Sequence, residues 1–231
     1  MSRSRLGNFL NDVKIEYEKA RFVYKGRNNE KKTTRVHRGR SRIVASVTED
    51  LFAKYLCNEF KNVHIFVDQC ITLEGRQTES YYPDLVICKK KKKNNFTFFE
   101  ILYMIDLKMD IGWIRNKYKD YMNKSKKICE KMKMAISLKG KKGDVEGEYK
   151  ENYEFCINKK ACYDVVVVSS RNAGKLESDL IKDSKNKNTN IWVLSTVGSL
   201  NQYKVKKDVE AENKTYETLI KKMQKVIKTK K

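Results

Sequence analysis

Four consecutive valines, Val165 to Val168, stand between Asp164 and Ser169 with no polar residue among them. A strand with one solvated face alternates apolar and polar side chains, because successive Cβ atoms point to opposite sides of the sheet. An unbroken β-branched run needs apolar cover on both faces, and helices packed above and below the sheet are the usual cover. The segment Tyr163–Ser169 therefore predicts a central strand between two helical layers.

The rest of the chain supplies those layers. Leu6, Phe9, Leu10, Val13 and Tyr17 recur at helical spacing and predict a helix over Ser4–Arg21. Ile43, Val47, Leu51, Tyr55 and Leu56 do the same for Ser41–Phe60. Strands follow at Val63–Leu73, Ser80–Cys88 and Asn95–Leu107, with Lys89–Asn95 as the polar turn between the last two. The helical pattern returns over Ile114–Leu138, and residues 139–152 read as a loop. A short helix near Lys175–Lys182 and a strand at Ile191–Val197 come next. Val209, Tyr216, Leu219, Ile220, Met223 and Ile227 then mark a final amphipathic helix. The expected architecture is an α/β sandwich, a mixed central sheet of about five strands flanked by helices. Its first three strands form an antiparallel meander, and the long helix crosses over to a parallel strand. No repeat or linker divides residues 1–231, so one domain is expected, with its core at about 41–200.

Lysine and arginine number 51 against 29 acids, a formal charge of +22. Folding does not require such an excess, although the lysine-rich usage of an AT-rich genome would contribute to it. A polyanionic partner accounts for it, nucleic acid before a membrane surface. Candidate contacts are Arg38, Arg40 and Arg42 in the run Arg35–Arg42, and Arg115 and Lys117 with the other lysines of the crossover helix. The lysine turn at 89–93 is weaker, because an arginine fork grips phosphate or guanine in a way an ammonium does not. Arg171 and Asn172 follow the valine strand, where loops commonly carry function, although a helix start would use the same residues. The six cysteines form no C-x-x-C pair, and two histidines make a structural zinc site improbable. With no signal peptide and no bilayer-length apolar stretch, the chain is expected to be soluble, disulfide-free and cytoplasmic.

The only proline precedes an aspartate inside an apolar run, Tyr81-Tyr82-Pro83-Asp84-Leu85-Val86-Ile87, and the next run ends in Asp106-Leu107-Lys108. Proline gives no ladder donor and suits a strand irregularity that would aim Asp84 out of the sheet. Asp106 and Lys108 share a strand face, and an adjacent strand could bring Asp84 close to them. Two neighbouring carboxylates repel unless a cation lies between them, and hard oxygen ligands favour Mg²⁺ or Mn²⁺. Glu100, at even spacing from Asp106, would share its face but lies too far along the strand.

This arrangement resembles the PD-(D/E)xK nuclease superfamily, whose proline-aspartate maps onto Pro83 and Asp84 and whose acid-x-lysine maps onto Asp106 and Lys108. The resemblance covers the motif and the element order from about Ser41 to Val197. It implies a restriction-endonuclease-like fold, with Asp84 and Asp106 as metal ligands and Lys108 catalytic. Many members add a helix-borne glutamate, here Glu49 within Ser46–Ala53. On a helical wheel Glu49 stands off the Ile43, Val47, Leu51 face, so a solvated position competes. The implied activity is Mg²⁺-dependent hydrolysis of double-stranded DNA by a type II restriction enzyme, a homodimer on a palindromic site. Two alternatives remain: a structure-selective repair or recombination nuclease, and a non-catalytic basic DNA-binding protein. Asp110 and Trp113, just after the motif, could shape a cleft wall or simply pack.

Overall fold

The valine run forms the C-terminal half of β7 (Tyr153–Ser169), and all four valines are completely buried. Val166 and Val168 pack with residues of α1 (Arg5–Lys25), α2 (Ala45–Glu59) and α5 (Lys206–Ile227). Val165 and Val167 pack on the other face with Tyr118 of α3 (Tyr118–Met134) and Leu180 of α4 (Glu177–Ser184). The two helical layers that the run demands are both present. The computed structural model describes residues 5–25, 45–74, 79–93, 96–112, 117–135, 137–140, 153–170, 173–186, 188–196 and 206–228.

β7 runs parallel to β5 (Phe96–Asp110), with Asp106 opposite Val165 and Lys108 opposite Val167. On its other side the same half of β7 runs parallel to β8 (Ile191–Val193). β5 pairs antiparallel with β4 (Leu85–Lys93), and β4 antiparallel with β1 (His64–Val67). The expected meander and parallel crossover are thus formed, in a mixed α/β architecture.

Among the described residues the sheet has eight strands rather than about five. The expected strand Val63–Leu73 breaks at Asp68, whose φ of 49° is left-handed, a conformation that aspartate tolerates better than most residues. Beyond the break lie β2 (Ile71–Glu74) and β3 (Glu79–Tyr81), an inserted antiparallel pair. β6 (Ser137–Gly140) forms where helix end and loop were expected, pairing with both β2 and the first residues of β7. β7 itself begins at Tyr153 rather than Tyr163, because its first half pairs with β5 and β6 through Phe155. Lys89–Lys93 is no turn: it continues β4, opposite Phe96–Glu100.

In the order β1-β4-β5-β7-β6-β2-β3, β3 and β4 are five places apart. A flat sheet would separate them by about 24 Å at a strand spacing of ~4.8 Å. Only Tyr82, Pro83 and Asp84 join them, and four residue steps span at most ~14 Å. The sheet must therefore curl, bringing β3 back over the start of β4. Pro83 is buried in this corner. Ile71 and Leu73 of β2 join Val86, Met104 and Tyr163 in one apolar cluster with Cys129 and Met132 of α3.

On the opposite face Asp164 is 1% exposed. Its carboxylate accepts hydrogen bonds from Tyr103 Oη (2.5 Å), Trp192 Nε1 (2.6 Å) and Lys222 Nζ (2.8 Å). Lys222 also reaches the Thr189 carbonyl at 2.9 Å and lies 5.3 Å from the centre of the Trp192 ring. A buried carboxylate is costly unless paired and hydrogen-bonded, and this one is both. The cluster fixes α5 against β7 and β8.

Candidate active site

The β4–β5 register, Leu85 opposite Ile105, sets Asp84 against Asp106 when carried one residue further. Ile105 and Leu107 point into the core beneath α1, α2 and α5, so Asp106 between them projects to the α3 face. Val86 packs on that α3 face, and Asp84, two residues before it, shares its side of β4. The bend at Pro83–Asp84 stops the ladder there and leaves the Asp84 carboxylate free to turn toward β5. It accepts the backbone N–H of Leu107 at 2.6 Å.

Lys108 completes the group. Its Nζ lies 3.1 Å from Oδ2 of Asp84 and 3.1 Å from Oδ1 of Asp106. Burial alone would lower the Lys108 pKa, but Asp106 and then Asp84 outweigh it and raise it, so the group is a permanent ammonium. Asp84 is pushed up to about 6, first by burial and then by the Asp106 charge, against the opposing effects of Lys108 and the Leu107 N–H. One ammonium does not balance the negative charge gathered here.

Glu49 belongs to the same electrostatic group. Its pKa is pushed up to about 7 by burial, then by Asp84 and Asp68, with Lys108 opposing. The sequence wheel misphased α2. Thr48, Phe52, Ala53 and Leu56 form its buried stripe, while Val47 is 37% exposed. Glu49 heads the i, i+3, i+4, i+7 line that leads to Phe52, Ala53 and Leu56, and it is half-buried rather than solvated.

Two tyrosines that sequence reading did not select surround Asp106. The Tyr121 hydroxyl has its pKa pushed up to about 12, by burial first and then by the Asp106 charge, with Lys108 opposing. Lys108 Nζ lies 5.6 Å from the centre of that ring. Tyr163 of β7 is raised by burial and then by the same carboxylate. A signal for Tyr121 existed: it adjoins the Tyr118, Ser125, Cys129, Met132 stripe that buries α3.

Glu100 stands apart, and for a reason the spacing concealed. The β4 register shifts between Ile87 and Cys88, leaving Leu102 as an extra residue on β5. Ile101 and Met104 consequently share one face while Leu102 and Tyr103 share the other, so the alternation inverts. Glu100 is thereby turned to the face opposite Asp106, where it meets Asn158 Nδ2 at 3.0 Å and Lys91 Nζ at 3.4 Å.

Of the expected nucleic-acid contacts, Lys117 is exposed at the start of α3. Arg38, Arg40, Arg42, Arg115, Arg171 and Asn172 lie outside the described residues, as does Trp113. Lys119, Lys124, Lys126 and Lys127 are exposed along α3. Among the described residues no three acids, histidines or cysteines form a metal-ligand cluster, and no helix is long and apolar enough to cross a membrane. The Asp84–Asp106 pair still fits Mg²⁺, which commonly takes one or two carboxylates and completes its shell with water and phosphate. Comparison with family models, with curated proteins and with solved structures gave no match for this chain.

Proposed function

We propose that this chain is a Mg²⁺-dependent DNA endonuclease of the PD-(D/E)xK type, with Mn²⁺ as a substitute ion. One observation carries the reading: two strand-borne carboxylates oppose each other with a single ammonium 3.1 Å from each. With β2, β3 and β6 set aside as additions, the order α2, β1, β4, β5, α3, β7 supports it, being the sequence of elements that the resemblance implies.

Asp84 and Asp106 would hold the ion, and Glu49 is the further acid within electrostatic reach. Bound there, a divalent cation supplies Lewis-acid polarisation of a phosphate and a lowered water pKa. The protein's own groups orient the reactants. The Leu107 N–H fixes the Asp84 carboxylate, and Lys108 holds it beside that of Asp106. Lys108 offers its proton donors to a phosphate oxygen or an attacking water and opposes charge that develops on the phosphate. The exposed lysines of α3 would draw the backbone in by counterion release.

Within this class the leading reading is a type II restriction enzyme, a homodimer cutting double-stranded DNA at a specific site in the cytoplasm. Incubation of plasmid and phage DNA with Mg²⁺, with and without chelator, tests it. Discrete fragments that require the ion support restriction. Cleavage confined to branched substrates selects the structure-selective alternative, and binding without hydrolysis in Mg²⁺ or Mn²⁺ removes the enzyme reading.

A further inference from the structure

The curl of the sheet leaves a pocket of about 290 Å³ directly beside Asp106. Tyr81 and Tyr82 of the β3–β4 corner form one wall, Tyr121 and Ile128 of α3 another, and Tyr163 of β7 a third. Exposed Ser80 and Lys124 also line it. Small-molecule pockets span roughly 300–1,000 Å³, so this one admits a single heteroaromatic ring system and no more.

One of the tyrosines, Tyr81, is tethered before any ligand arrives. The Tyr81 hydroxyl donates to Glu79, which Lys131 of α3 grips at 2.9 Å. Tyr82 lines the pocket while 62% exposed. Tyr121 lines the pocket together with Asp106, its ring centre 5.6 Å from Lys108 Nζ. A tyrosine has little rotamer freedom to lose, and what four rings around one pocket offer an incoming group is chiefly π surface. The ligand chemistry this fits is a flat aromatic ring with polar edges, attached to an anion that Lys124 can approach.

We infer that the pocket receives one unstacked nucleobase of the DNA strand whose phosphate lies at Asp84, Asp106 and Lys108. The inference rests on the hydrolase reading. Because Asp106 belongs to both sites, a base in the pocket belongs to a nucleotide at the reacting phosphate. A base inside a continuous duplex is stacked on both sides and cannot enter. The substrate therefore presents an unpaired nucleotide there, or the protein extrudes one, at an unstacking cost that is smallest for a mismatched or single-stranded base.

The test is binding to duplex oligonucleotides in chelator, one fully paired and one carrying a single unpaired 2-aminopurine. Wild-type protein should bind the unpaired form about 10-fold or more tightly, the scale of one base-aromatic stack, and should quench its emission. Tyr82→Ala removes an exposed ring and Ile128→Trp fills the cavity. Each should abolish the preference and the quenching while leaving affinity for the paired duplex unchanged. No preference in wild type, or one that survives both substitutions, overturns the inference. Hydrolysis is silent in chelator, so the two readings fail separately. Unpaired-base preference without later Mg²⁺-dependent cleavage removes the hydrolase, and cleavage without the preference removes the pocket's role.

Discussion

Asp84 accepts the backbone N–H of Leu107 at 2.6 Å, so the acid of one strand is fastened to the peptide between the two functional side chains of the next. A side chain held through main chain keeps its place when neighbouring side chains change. Asp84→Ala, Asp106→Ala and Lys108→Ala should therefore each remove Mg²⁺-dependent cleavage with the fold intact. For Lys108→Ala the loss should be at least about 100- to 1,000-fold, the effect of deleting one positioned donor. Binding to DNA at low salt should survive all three, because it depends on the lysines of α3. Plasmid cleavage rates and filter binding check both halves.

Affinity for the divalent ion should rise with pH most steeply between about 6 and 7, where Asp84 and Glu49 lose their protons. Each proton has to leave before the oxygen can bind a cation, so the curve flattens above that range. Glu49→Gln should remove the upper part of the rise and leave the lower. Calorimetric titration with Mn²⁺ at stepped pH measures both.

The ion-free protein should follow the opposite trend. Glu49 titrates near 7 when folded against an ordinary 4.5, so between those values the folded chain holds a proton that the unfolded chain has lost. Stability then falls as pH rises through that window and stays low above it. Asp84 adds the same sign between 3.8 and about 6. In chelator, Glu49→Gln should melt higher than wild type at pH 8 and close to it at pH 4. Thermal denaturation at the two pH values decides this.

Lys222→Ala strands the Asp164 carboxylate without its cation and should destabilise the protein by about 3–5 kcal/mol. Converting Asp164 to Asn in the same chain should recover part of that loss, since the orphaned charge goes with it. Urea denaturation of the single and double variants gives the comparison.

The meeting of Asp84, Asp106 and Lys108 was readable because its signals are local: a lone proline before an acid, and two residues of one strand at a spacing of two. The valine strand and the crossover were readable for a similar reason, as burial on two faces leaves an unmistakable pattern. Long-range pairing hid the remainder. β6 has only four residues and exists because β2 and β7 lie on either side of it. Glu49 was misjudged because Val47 and Leu51 advertise a helix face, whereas contact with the sheet selects Phe52 and Leu56. Glu100 was misplaced by the extra residue at Leu102, which no alternation rule can foresee.

The bond from Lys222 to Asp164 joins positions 58 residues apart. Until α5 has been made, the strand that runs alongside Asp106 and Lys108 carries an anion without its cation. A chain lacking α5 would hold that strand with its buried carboxylate stripped of a cation, the costly state for an interior charge.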